Sequence, residues 1–477
     1  MKPDISFCRP TRRGFLAATA AGLLAPLLPL AASRAAERSY TLRAAPARAR
    51  LLGASNPETP VWAYNASVPG PVIRARQGET LRVRVENALA EETTVHWHGL
   101  RVPNAMDGVP ELTQKAIAPG SSFDYVFDLK DAGTYWYHPH ANGAEQIGRG
   151  LYGALIVEER EAPRVDRDLL WVIDDWRLGR DASISPDFGA FMDMSHGGRL
   201  GNVVTINGRP AEDLAVRAGE RLRLRLVNVA NARIFALRFN GHRPIVISHD
   251  GQPVAPHEAP AGRVVLGPGQ RADVILDMTR KPGESFTVRD DYYARFAYDL
   301  LNIAYGPEPL RASPLPPPDR LAANPVAEPD LSSARRQRIV FQGGMMGRMG
   351  AGLVDGRSTS MGDMMRRGLG WAVNGVVGTG HRLPAVLTLK RNESCVLDLV
   401  NDTAWPHPIH LHGHFFRVLA RNGRPTPHRE WVDTVLLDAQ ERAEVAFVAD
   451  NPGGWMLHCH ILEHQAGGMQ AVIDVGA

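Results

Sequence analysis

The stretch PGPVIRARQGETLRVRVENAL, Pro69 to Leu89, runs from a Gly-containing turn through a charged turn into a strand-like alternation that ends near Asn. The same pattern returns in INGRPAEDLAVRAGERLRLRLVNVAN (Ile206 to Asn231) and in VNGVVGTGHRLPAVLTLKRNESCVLDLVND (Val373 to Asp402). A second element follows each copy: AIAPGSSFDYVFDLKDAGTYWYHPH, VVLGPGQRADVILD and VLLDAQERAEVAFVADNPGGWMLHCH. Apolar residues at every second position place one face of each segment in a core, which is the period of a strand. Related units of roughly 110 to 170 residues are too long for a solenoid and suit separate β-domains.

Composition agrees with an all-β, turn-rich globular chain. Its 477 residues exceed one ordinary domain, 44% are hydrophobic, and there are 46 Gly and 36 Pro. Three sandwiches are expected, spanning 37–158, 168–305 and 336–477. Between the first two lies the charged EEREAPRVDRD (Glu158 to Asp168), and a Pro-rich linker at 306–335 precedes the third.

Residues 1–36 read as an export signal, with Arg12-Arg13 ahead of a short apolar run broken by Gly22, Pro26 and Pro29. The pair followed by Gly14, Phe15 and Leu16 resembles a twin-arginine translocation signal, which implies a periplasmic address and no stable membrane span after processing. That segment holds Lys2, Arg9, Arg12, Arg13 and Arg34 against Asp4, so the remaining chain has 49 basic and 50 acidic residues. A formal charge of −1 offers no electrostatic footprint for nucleic acid. Cys8 leaves with the signal, so Cys395 and Cys459 remain.

Ten of the 17 histidines fall in four short motifs: His96 and His98 in HWHG, His138 and His140 in HPH, His407, His410 and His412 in HPIHLH, and His458, His460 and His464 in HCHILEH. His196, His242, His249, His257, His381, His414 and His428 are read as ordinary structural histidines. On a strand, side chains at i and i+2 share a face while i+1 points the other way. Thus His458 and His460 face one side and Cys459 the other. On the cysteine side, Cys459, His464, His407 and Met469 form the two-His, one-Cys, weak-Met set of a blue-copper site. Eight histidines remain for the opposite side, more than one metal ion uses. Pro139 suggests that HPH lies on an edge strand or loop.

The four motifs, in order across the chain, resemble those of three-domain multicopper oxidases of the laccase and cuprous-oxidase family. The resemblance implies three cupredoxin-like Greek-key domains and four copper ions: one type 1, one type 2 and two type 3. It implies type 1 ligation by His407, Cys459, His464 and Met469, and type 2 ligation by His96 and His410. The type 3 pair is implied on His98, His138 and His460 and on His140, His412 and His458. Electrons from Cu(I) or a small aromatic reductant are expected to pass from Cys459 through His458 or His460 toward the site where dioxygen is reduced to water. The middle domain has the repeat without the motifs, as a spacer would.

Asp107 in VPNAMDGVP occupies the position of an acid that such enzymes place beside the cluster; its alternative is a turn residue before Gly108. Gln465 stands where comparable cuprous oxidases have an acid. The segment Gly343 to Gly368 carries Met345, Met346, Met349, Met361, Met364 and Met365, with Asp355 and Asp363, and suits a Cu(I) substrate site. Enterobacterial-type cuprous oxidases have Asp and Met shortly before the first type 1 histidine, where NDTAWPHPIH has Asp402 and Trp405. The expected activity is a copper-tolerance oxidase acting as a monomer. The alternatives are a laccase acting chiefly on aromatic substrates and a non-catalytic copper-sequestering protein.

Overall fold

In the computed structural model, the three copies of the opening pattern become equivalent strands, Thr80–Asn87, Arg221–Asn228 and Ser394–Asp402. Each lies between the same two neighbours. On one side is a parallel partner, Glu37–Ala49, Arg167–Trp176 or Arg335–Gly343. On the other is an antiparallel partner, Ser122–Asp128, Arg271–Asp277 or Arg442–Val448, which comes from the second repeated element. The structure describes residues 36–313, 315–380, 383 and 385–477; the export-signal segment lies outside them, except Ala36. No helix of the described residues is long and apolar enough to cross a membrane.

Each unit pairs two sheets face to face. Four strands lie over four in the first; in the second, six lie over five. In the third, a five-stranded sheet faces a larger one that starts at Trp371–Val373, and the hairpin Ala351–Val354 with Arg357–Ser360 stands apart. Separate apolar cores fill the three sandwiches. A further apolar cluster, with Trp136, Tyr152, Trp176 and Val227, joins the first two units. Only four short α-helices occur among the described residues, so the all-β expectation is met.

The strand Arg221–Asn228 departs from its alternation, because all eight residues are buried. Its sequence RLRLRLVN predicts a solvent face for the arginines, whereas that face meets the first domain. Arg223 bonds Glu159 and Asp273 at 2.5 and 2.6 Å, and Arg225 bonds Asp168 at 2.8 Å and Thr134 at 2.9 Å. Buried guanidinium groups persist only when paired in this way.

Residues of the Pro-rich stretch form no strand or helix where described, yet the stretch is pinned along its length. Arg311 pairs with Asp166. Leu321 is buried, and Asn324 bonds Gln77, Ala132 and Gln252 across the first two domains. It is a strap across the assembly rather than a free tether.

Candidate metal centres

Strand register gathers the histidines. His96 sits opposite His138 in one antiparallel pair, and His410 sits opposite His458 in another, with Ile409 opposite Cys459. The strand Gly133–His138 stops at Pro139, so His140 hangs from a loop. His464 lies in the one-turn helix Leu462–Ala466 instead of the open loop expected. Gly108 has φ +85°, and a Cβ there would fall 2.0 Å from the Val95 carbonyl oxygen; only Gly lets this turn close against the strand that carries His96.

Eight imidazoles converge in one buried space. Potential ligand atoms of His98, His138 and His460 lie within 4.8 Å of one another, as do those of His140, His412 and His458 and those of His96, His98 and His410. Each of six rings has one nitrogen tied to the protein. His96 donates through Nδ1 to the Asp107 carbonyl oxygen at 2.8 Å, and His410 donates to that of Asp433 at 2.9 Å. His138 and His458 donate to the carbonyl oxygens of Pro139 and Cys459. His412 Nδ1 meets Asp107 Oδ2 at 2.8 Å, and His98 Nε2 meets Asp433 Oδ1 at 3.0 Å.

The other nitrogens are left facing inward. His96 Nε2, His98 Nδ1, His138 Nε2, His140 Nε2, His410 Nε2 and both nitrogens of His460 are buried without a hydrogen-bond partner. His412 Nε2 faces His458 Nε2 at 3.2 Å. Buried polar atoms are ordinarily satisfied, so this many orphans in one place mark where cations belong. Burial pushes the pKa of His98, His138, His140, His412, His458 and His460 well below the usual range, which keeps their lone pairs free of protons.

On the opposite face of the strand, His407 Nδ1 lies 3.4 Å and His464 Nδ1 3.7 Å from Cys459 Sγ, with the two nitrogens 3.1 Å apart. The outer nitrogens are fixed by Thr403 Oγ1 at 2.8 Å and the His196 carbonyl oxygen at 2.6 Å. Met469 is buried in the same core as Cys459, and Trp371 covers His464 at 4.2 Å between ring centroids. Burial lowers the His464 pKa to about 3 and raises that of the Cys459 thiol, so a bound cation is what would hold the sulfur as thiolate. Cys395 and Cys459 are both buried and free of disulfides.

Asp107 is fully buried against His96 and His412, with Oδ1 lacking a hydrogen-bond partner, so it is not a solvated turn residue. Three contributors escaped the sequence reading. Asp433 orients His98 and His410 and is itself clamped by Arg271 at 2.6 and 2.9 Å. Asp250 accepts the amides of Asp433 and Thr434. An acid inside the apolar run WVDTVLL was the available signal for Asp433; nothing in the sequence pointed to Arg271 or Asp250. The middle domain is thus more than a spacer.

The methionine segment is not gathered in the same way. Met364 is fully buried, with Met349 and Met361 packed around its small apolar cluster. Met365 approaches Met194 of the middle domain beside Gly370. Asp363 pairs with Arg366 and Ser360, and Asp355 with Arg367 and Thr379. Met345 and Met346 are 42% and 71% exposed, and the Trp405 indole donates to the Met345 carbonyl oxygen at 3.0 Å.

Family models described as multicopper oxidase match residues 48–162, 181–301 and 358–477. The multicopper oxidase MmcO of Mycobacterium tuberculosis is 30% identical, over 91% of this chain and 86% of its own. The chain belongs to the multicopper oxidase family. A solved multicopper oxidase from Pseudomonas thermotolerans is 35% identical, with a TM-score of 0.81 over 93% of this chain and all of the other. Lac15 from a marine microbial metagenome is also 35% identical, with a TM-score of 0.70 over 92% of this chain and all of its own. As a multicopper oxidase the protein is a copper-dependent oxidoreductase with dioxygen as electron acceptor, and the cupredoxin fold that the resemblance implied is the one found.

Proposed function

We propose that this oxidase holds four copper ions and takes electrons from Cu(I) or a small phenol at a rim beside His464. The type 1 ion would be held by His407, Cys459, His464 and Met469, and the type 2 ion by His96 and His410. The type 3 pair is assigned to His98, His138 and His460 and to His140, His412 and His458. The cluster of orphaned, inward-facing ring nitrogens carries this reading, since its donor set and fixed tautomers suit copper. Bound copper supplies the one-electron acceptor beside Cys459 and the four-electron chemistry that converts dioxygen and four protons to two waters.

The chain supplies the rest. Cys459 is covalently joined to His458 and His460, so sulfur and imidazole sites share one strand. Every assigned ligand but the half-buried His140 is buried. A cleft of about 520 Å³, lined by Glu91, Glu111, His140 and Gln465, opens beside the imidazoles. Gln465 brings no titratable proton to it; Asp107, whose Oδ1 lacks a hydrogen-bond partner, is an acid in contact with His96 and His412. Periplasmic delivery by the twin-arginine route and a role in copper tolerance belong to the same proposal, as do the three-domain boundaries given above.

Two observations bear on the electron donor. Exposed Met345 and Met346 beside Trp405 favour Cu(I). An apolar cavity of about 540 Å³ lined by Met192, His196, Tyr292, Tyr293, Trp405 and Ile461 favours a small aromatic reductant. His464 is itself fully buried, capped by the His196 carbonyl, so either donor would deliver electrons through this rim without touching the imidazole. The joint substitution Met345→Leu and Met346→Leu should raise KM for Cu(I) several-fold and leave phenol turnover unchanged. Equal effects on both donors would remove Cu(I) from the proposal.

A further inference from the structure

Three histidines outside the copper centres meet where the middle and third domains touch. His249 ends the strand Ile245–His249, and His257 lies on its hairpin partner Gln252–Glu258. His428 stands on the turn that leads into Trp431–Val432. The rings of His257 and His428 stack with centroids 3.6 Å apart and planes 14° apart, and His249 is 6.3 Å from His257.

The available atoms also fit a cation. His257 donates Nδ1–H to the Ala255 carbonyl oxygen at 2.9 Å, which leaves Nε2 as the nitrogen available to a ligand. Burial lowers the His249 pKa to about 4, and the same effect is present at His428, so both rings are neutral near pH 7. The Glu430 carboxylate favours positive charge at both. His428 is exposed, so it has the freedom to tilt out of the stack and share an ion with His257. Imidazole with one carboxylate suits borderline divalent ions such as Zn(II) and Cu(II) over Mg(II) or Ca(II).

We propose that His249, His257 and His428 form a divalent transition-metal site, separate from the copper centres and favoured by the negative charge of Glu430, that clasps the middle domain to the third. His249 adjoins Asp250, whose carboxylate holds the backbone amides of Asp433 and Thr434 beside the imidazole cluster. An ion here therefore tightens the interface from which Asp433 orients its histidines.

The test is calorimetric titration of Zn(II) into the copper-loaded protein, with its blue absorption followed in parallel. One equivalent should bind without loss of colour and raise the thermal midpoint. His257→Ala and His428→Ala should each weaken that binding at least tenfold and remove the thermal shift, while colour and oxygen consumption confirm that both variants are folded. Glu430→Gln should weaken it less. No saturable uptake, uptake accompanied by bleaching, or unchanged binding in both histidine variants would overturn the site.

Discussion

The eight-imidazole cluster and the methionine segment invite comparison, since both are crowded with metal-binding side chains. Only the first is a gathered site. The cluster histidines sit on or beside paired strands, where period and register put their rings on one face, and Asp107 and Asp433 orient His96, His98, His410 and His412. Met345, Met346 and Met349 sit on a turn and loop and Met361, Met364 and Met365 on a short helix, with no such register, and folding sends them different ways: Met364 inward, Met346 to solvent. Density of ligand types in sequence predicts a metal site when backbone geometry aims them together.

The comparison breaks most readily at Cys459. Cys459→Ser should take blue colour and oxygen consumption to background with the fold retained by circular dichroism; a blue, active variant would sink the type 1 assignment. Asp433→Ala should be nearly as severe. It strands the buried Arg271 guanidinium, at a cost of about 3–5 kcal/mol, and frees His98 and His410, with about a 10–100-fold loss of copper affinity. Wild-type copper retention and thermal midpoint would remove Asp433 from the machinery.

Acid provides a further probe of the cluster. His98, His138, His140, His410, His412, His458 and His460 have folded-state pKa values below the unfolded value of about 6.5, so below that pH the unfolded chain binds more protons than the folded one. Copper-free protein should therefore lose stability as pH falls from about 6.5, each such histidine contributing up to ~1.4 kcal/mol per pH unit. Denaturant midpoints at pH 7.5 and 5.5 measure this, and equal midpoints would contradict the neutral-imidazole picture. At the methionines the effects should be smaller and should split by burial. Met364→Ala should cost about 2–5 kcal/mol, whereas the joint Met345→Leu and Met346→Leu change should stay within about 0.5 kcal/mol.

Sequence legibility follows the same division. The three β-units and the grouping of ten histidines and Cys459 were readable because strand alternation and i, i+2 spacing map directly onto faces. Asp107 was readable as a candidate but not as a buried partner of two imidazoles, because a turn before Gly looks the same whether wet or dry. Arg271, Asp250 and the His196 carbonyl were not readable, since domain packing brings them to the centres from the unit without the motifs. The burial of the arginines of RLRLRLVN was not readable for the same reason, since it depends on contacts beyond the strand itself.

The His196 carbonyl that caps His464 belongs to a loop of the middle domain, as do Met192, Tyr292 and Tyr293 along the adjoining cavity. Changes there leave every assigned copper ligand and its strand untouched. Part of the rim proposed to meet the electron donor is therefore encoded in the domain that holds none of the assigned ligands, where it can vary without altering them.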